Sequence, residues 1–283
     1  MSIATEELLD SLPQLSRVEV KMPALFVGHG SPMNAIEENE FTRAWARVGE
    51  SVPRPSAILC VSAHWETQGT RVTATEWPKT IHDFRGFPPS LFEVTYPAPG
   101  SPELARLIQE TVGGSRVELD FDWGLDHGTW SVLCWMFPNI DVPVVQLSLD
   151  QNLAPASHYE LGKQLRSLRR KGVLIVGSGN MVHNLRMIAW QDVAYDWALE
   201  FDDRLKQLIF AREHESIVNY QRLGEPARLA VPTNEHFLPL LYVLGLQDDD
   251  DGVEFFADKV TLGSISMRSV RLGQRADRVV CDL

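Results

Sequence analysis

The chain has 283 residues, of which 44% are hydrophobic and 23% charged, and a formal net charge of −12. This composition belongs to a globular protein with enough chain for one large α/β domain or two smaller ones, and it excludes a disordered chain. The acidic balance argues against nucleic acid as the main partner, because phosphate binding needs a basic face; it leaves room for a small anion held by local arginines.

Three cysteines, Cys60, Cys134 and Cys281, are widely spaced and odd in number. They form no disulfide framework or thiolate metal motif, so a reducing compartment is expected. Met1–Lys21 carries mixed charge and no apolar core, unlike a signal peptide. The longest apolar stretch, Phe237–Leu246, is broken by Pro239 and Gly245 and is too short to span a bilayer. A cytoplasmic protein with no membrane partner is the expectation.

After a polar lead-in packed on the outside, Pro23–Val27 reads as a buried strand, ending in Gly28-His29-Gly30-Ser31. Glu38–Val48 reads as a helix with Phe41, Trp45 and Val48 on one face. Ala57–Ser62 is a second strand, followed by His64, and the β-branched run Arg71–Thr75 another. Thr80–Gly100, rich in Pro, Gly and aromatics, reads as a long ordered loop of the kind that walls a binding site. Ser101-Pro102-Glu103 opens a helix that Gly113-Gly114 stops. A short apolar helix runs through Phe137, and Val142–Leu149 is a strand. Ala156–Lys171 reads as an amphipathic helix whose basic end, Arg169, Arg170 and Lys171, suits its dipole. Val173–Val176 is a third apolar strand, followed by Gly177-Ser178-Gly179-Asn180 and His183. Val193–Glu213 is a long helix, and Thr233 is placed to cap one carrying Glu235, His236, Leu240 and Leu241. Val253–Phe256 and Ser266–Arg271 close the fold, and Asp248–Asp251 reads as a solvated turn. The pattern predicts a single α/β domain: a central, mostly parallel sheet flanked by helices, with its site at the carboxyl ends of the strands.

Three histidines thus sit just past three apparent strands. Taken singly, His29, His64, His183 and His236 are each more often structural than ligands; sharing one topological position changes that. Imidazole is a common ligand of zinc and other late first-row metals, and separate strand ends can converge on one ion. There is no local metal signature, so any site is assembled from distant segments. Serine hydrolysis competes weakly: around Ser178, Val176 and Asn180 stand where a nucleophile elbow has glycines. Gly177–Asn180 also lacks the lysine and spacing of a phosphate loop. His158 and His214 read as surface imidazoles, and His82, in the wall loop, as either structural or functional.

The ordered series Met22–Met33, Ser62-Ala63-His64-Trp65, His82–Pro88, Tyr96–Gly100, Asp126-His127-Gly128, His183-Asn184-Leu185 and Thr233–Leu240 resembles the DOPA extradiol branch of the class III (LigB-type) ring-cleaving dioxygenases, over about residues 22 to 272. The resemblance implies a lead-in at 1–21, a catalytic domain at 22–272 and a tail at 273–283. It implies a non-haem metal site at His29, His64 and His236. His183 would be the acid–base residue, or a fourth ligand in a resting zinc form. His127 would line the pocket and steady oxygen or substrate. Fe(II) would be the active metal, with zinc in the isolated protein, and the substrates a catechol and O2. Since Glu235 adjoins His236, and helix neighbours face about 100° apart, only one of the two is expected to point at the metal. Ser31, Trp65, Phe84 and Arg186 are candidate substrate contacts, with Phe87, Tyr96 and Trp130 as further aromatic walls. The rival readings are a zinc-dependent hydrolase at the same histidines and a non-catalytic scaffold.

Overall fold

A computed structural model describes residues 20–114 and 116–274. Eight strands form one sheet: β1 (Ala24–Gly28), β2 (Ala57–Thr67), β3 (Thr70–Thr73), β4 (Val117–Asp120), β5 (Val144–Asp150), β6 (Val173–Gly179), β7 (Gly252–Phe256) and β10 (Ser269–Gly273). Their order is β4-β3-β5-β2-β6-β1-β10-β7. β8 (Val260–Thr261) and β9 (Ile265–Ser266) make a separate antiparallel pair. The central strands β5, β2, β6 and β1 run parallel, and antiparallel strands close the β1 edge.

Both faces of these parallel strands are covered, which is why they read as continuous apolar runs rather than alternating ones. Period-two geometry splits them. Ala24, Phe26, Leu59, Val61, Val173 and Ile175 join one core, with the helices Pro102–Thr111, Pro155–Leu165, Asp196–Phe210 and Leu238–Gly245. Leu25, Val27, Ile58, Cys60, Leu174 and Val176 join the other, with Trp45 of helix Glu40–Ser51 and Trp130 of helix His127–Met136. Ser101 caps the helix it precedes, accepting from the Leu104 amide, and Asn39 and Thr42 form a capping box.

The structure corrects several expectations. β2 runs on to Thr67, so His64 lies inside a strand, not beyond it; the pairing with β5 is irregular between Val61 and Glu66, and that with β6 ends at Ser62. The bulged stretch re-aims the side chain there. The basic helix stops at Leu165, and a tighter turn, Arg166–Lys171, follows. Arg169 is fully buried, and Asp251, in what read as a solvated turn, is its partner at 2.5 Å. Lys21 is likewise buried, against Asp248, Asp250 and Asp251; the rest of the expected lead-in, to residue 19, lies outside the described residues. Gly273 still pairs with Gly252, one residue past the expected domain end. His158 is buried and bonded to the Tyr242 hydroxyl (3.2 Å), and His214 is half-buried beside the Tyr159 hydroxyl (3.1 Å); neither is a surface imidazole.

Candidate metal centre

His29 is the first residue after β1, and its amide extends the β1–β6 pairing by donating to the Gly179 carbonyl. Gly30, at φ +61°, turns the chain away. His29 Nδ1 lies 3.0 Å from Ser178 Oγ, whose own proton goes to the Gly128 carbonyl at 2.5 Å. Ser178 therefore accepts, Nδ1 of His29 carries the proton, and Nε2 keeps a lone pair. His64 Nδ1 faces Asp83 Oδ2 at 3.2 Å, and His236 Nδ1 faces Glu235 Oε1 at 3.0 Å. The same logic leaves both Nε2 atoms as acceptors.

The three rings converge. Centroids are 5.0 Å apart for His29 and His64, 5.3 Å for His29 and His236, and 4.9 Å for His64 and His236. The Nε2 atoms of His29 and His64 lie 3.1 Å apart. Two lone pairs at that separation repel unless a positive charge lies between them, so the donor set fits a bound cation.

Two further imidazoles complete the cluster. His127, the first residue of its helix, lies 3.9 Å from His64 and 5.7 Å from His29, centroid to centroid. His183 stacks on His236 at 3.5 Å and 10°. By donor atoms the groups fall into two triads, His29-His64-His127 and His183-Glu235-His236, each within 4.8 Å. Glu235 shares a triad with His183 and His236, and its Oε1 is engaged by His236 Nδ1. Glu235 and His236 lie in the turn before the helix Leu238–Gly245, not on it, so the 100° rule for helix neighbours does not apply; Thr233 bonds Glu235 instead of capping.

Gly177 and Gly179, which had suggested a nucleophile or phosphate turn, serve packing. A Cβ on Gly177 would sit 2.6 Å from the Pro239 carbonyl oxygen, and one on Gly179 would collide with that of His236. Their absence lets the His236 turn lie directly on β6, and the Asn180 amide donates to the His236 carbonyl.

Electrostatics favour neutral rings. Burial, reinforced by neighbouring imidazoles, holds His29, His127 and His236 below the usual histidine range, and burial lowers His183 to about 4. Burial raises Asp83, but hydrogen bonds from His127 and then His64 outweigh it and hold its carboxyl well below the normal range. Asp83, which its place in the sequence did not single out, is the carboxylate between His64 and His127. It adjoins His82, whose own Nε2 is spent on the Val94 carbonyl among Phe84, Phe92 and Trp130.

The expected substrate contacts divide. Phe84 meets His127 edge-on at 5.5 Å and packs on Phe87 and Phe92. Arg186 is exposed in the turn that follows His183. Trp65 is instead buried and stacked on Trp123 at 5.4 Å, and the Ser31 hydroxyl caps the turn Pro32–Ala35 by accepting from the Met33 amide. Tyr96 and Trp130 are core residues whose polar ends donate to the Phe137 and Ile81 carbonyls.

A family model described as the catalytic LigB subunit of aromatic ring-opening dioxygenase matches residues 23–273. The chain belongs to the LigB family. A 4,5-DOPA dioxygenase extradiol of Escherichia coli K12 is 48% identical over 259 residues, covering 89% of this chain and 95% of that one. A protein of the same name from Beta vulgaris is 38% identical over 254 residues, covering 87% and 94%. A crystal structure of an uncharacterized Escherichia coli K12 protein superposes with a TM-score of 0.78 at 44% identity, over 89% of this chain and all of that one. This LigB member is thus an enzyme, an extradiol ring-opening dioxygenase that takes a small catechol and O2, and its histidine cluster suits the metal cofactor such an enzyme needs. Among the described residues, no helix is long and apolar enough to cross a membrane.

Proposed function

We propose that this LigB enzyme holds one metal ion between His29, His64 and His236, with His183 beside it, and opens a DOPA-like catechol there to a semialdehyde. The observation that carries this reading is the convergence of three imidazoles whose Nδ1 atoms are each engaged by Ser178, Asp83 or Glu235. Fe(II) is the proposed active metal, and when bound it would draw catechol and O2 together and let electron density pass between them. Zinc has no accessible redox change, so zinc-loaded protein keeps the fold without turnover.

The chain supplies the remaining parts. His183, neutral at pH 7 and stacked on His236, is placed to accept a phenolic proton and return it later. His127 steadies the substrate or oxygen, and Phe84 forms an aromatic wall beside it. Arg186, exposed in the turn that follows His183, is the proposed contact for a substrate carboxylate. The catalytic unit is placed at 22–272, with 1–21 and 273–283 outside it, in keeping with the match at 23–273. A reducing cytoplasmic setting accords with the free thiols of Cys60 and Cys134.

The test is anaerobic loading of the apo-protein with Fe(II), then catechols of differing side chain and O2. A yellow semialdehyde with matching oxygen uptake is expected. Ester or amide turnover with zinc, and none with iron and oxygen, would replace this reading with a hydrolase.

A further inference from the structure

The histidine cluster is held by unequal partners. Ser178 serves one ring and Glu235 serves one ring. Asp83 serves two: its Oδ2 lies 3.2 Å from Nδ1 of His64 and 2.9 Å from Nδ1 of His127. Its Oδ1 accepts the His127 backbone amide at 2.9 Å. A carboxylate oxygen has two lone pairs, so Oδ2, hydrogen-bonded to His127, has a second lone pair for the His64 Nδ1 it faces.

We propose that Asp83 is a positioning residue that fixes the tautomers of His64 and His127 together, setting one as a metal ligand and the other as a hydrogen-bond acceptor toward substrate. This rests on the metal-centre reading given above. The physical reason is the freedom the two rings would otherwise have. Each neutral imidazole has one proton and two nitrogens, and the rings lie only 3.9 Å apart. With no shared acceptor, either could carry its proton on Nε2. On His64 that would place an N–H against His29 Nε2, 3.1 Å away, and remove the lone pair a metal needs. On His127 it would turn an acceptor into a donor. A carboxylate facing both Nδ1 atoms excludes both errors, and the Oδ1 bond to the His127 amide ties it to the first turn of that ring's own helix. Gly128, next in sequence, leaves the room: a Cβ there would meet Ser62 Oγ at 2.6 Å and His64 Cδ2 at 2.9 Å.

The test uses full-length apo-protein with 15N-labelled histidine, and zinc binding by chelator competition. Long-range 1H–15N spectra of the wild type should show His64 and His127 protonated at Nδ1. Asp83→Asn keeps one acceptor oxygen for the His127 amide but brings an N–H group toward the ring donors. It should shift at least one ring to the Nε2–H form and weaken zinc binding roughly 10- to 100-fold, the range for lost partners of metal-bound histidine, with thermal stability little changed. Asp83→Glu, which keeps the charge, should restore the Nδ1–H form and most of the zinc affinity. Ser178→Ala should disturb His29 alone. A wild-type spectrum with Nε2–H on either ring would overturn the proposal, whether or not Asp83→Asn folds. Unchanged zinc affinity in folded Asp83→Asn, or equal losses in Asn and Glu variants, would also overturn it. Failure of the wild type to bind zinc at all would instead overturn the metal-centre reading.

Discussion

The two ends of the parallel sheet bury polar groups in opposite ways. At the amino ends of β1 and β6, Arg169 is fully buried, and its donors reach Asp251 and the carbonyls of Met22, Leu246 and Leu272. Lys21 adds a second cation to the same carboxylate at 2.9 Å. Charge there is neutralised within the chain, and the set ties the start of the fold to its last strands. At the carboxyl ends, five imidazoles crowd together and leave acceptor atoms face to face. The first end is complete in itself. The second is complete only with a cation and substrate, and its hydrogen bonds serve orientation more than stability.

Breaking either end should show this difference. His29→Ala is expected to abolish ring opening and metal retention while the apo-protein's melting temperature stays within a few degrees, as metal analysis and calorimetry would show. His183→Ala should keep the metal and lose most turnover; equal metal loss in the two variants would make His183 a ligand first. Arg169→Met leaves the buried Asp251 carboxylate with only Lys21 and the Asp248 amide, and takes the side-chain donor from the Met22, Leu246 and Leu272 carbonyls. It should cost about 3–5 kcal/mol, as removal of one partner of a buried pair does, and lower the melting temperature by roughly 10 °C for a domain of this size. Zinc affinity should be untouched, and a parallel loss of zinc would mean the two ends are coupled.

A smaller effect separates buried neutral histidine from both ends. Burial lowers His158 to about 4 from the ordinary 6.5. The unfolded chain takes up this proton first, so its contribution is intact above about pH 6.5 and is lost as pH falls toward 4. The loss should be on the order of 3 kcal/mol at most. Denaturant titrations at pH 7.5 and 4.5 should show a shallower fall for His158→Gln than for the wild type. Smallest of all, Arg186→Ala should raise KM roughly two- to fivefold for a carboxylate-bearing catechol, the scale of an exposed ion pair, and leave unsubstituted catechol unchanged.

The histidines were legible as a group because several follow apolar runs in the same topological position, although each alone has commoner structural uses. His29, His64, His183, His236 and His127 all arrive in one cluster. Asp83 was hidden because an aspartate in a loop has many ordinary roles, and its neighbour His82 drew the attention. Trp65 misled for the converse reason. An aromatic beside a ligand looks like a wall, but Trp123, 58 positions along the chain, supplies its stacking partner. Asp248–Asp251 looked solvated because nothing local shows Arg169 and Lys21 folding onto it.

Local patterns settled the parallel sheet, the helix start at Ser101, and the kinds of atom available for chemistry, since periodicity and capping act over a few residues. Tertiary structure decided which lone pairs meet. A nitrogen's protonation is set by the atom opposite it, and for His29, His64 and His127 that atom comes from chain 149, 19 and 44 residues away. No short window of sequence spans such pairings, so the tautomers, and with them the chemistry, were fixed only when the central strands β1, β2 and β6 and the loop carrying Asp83 came together.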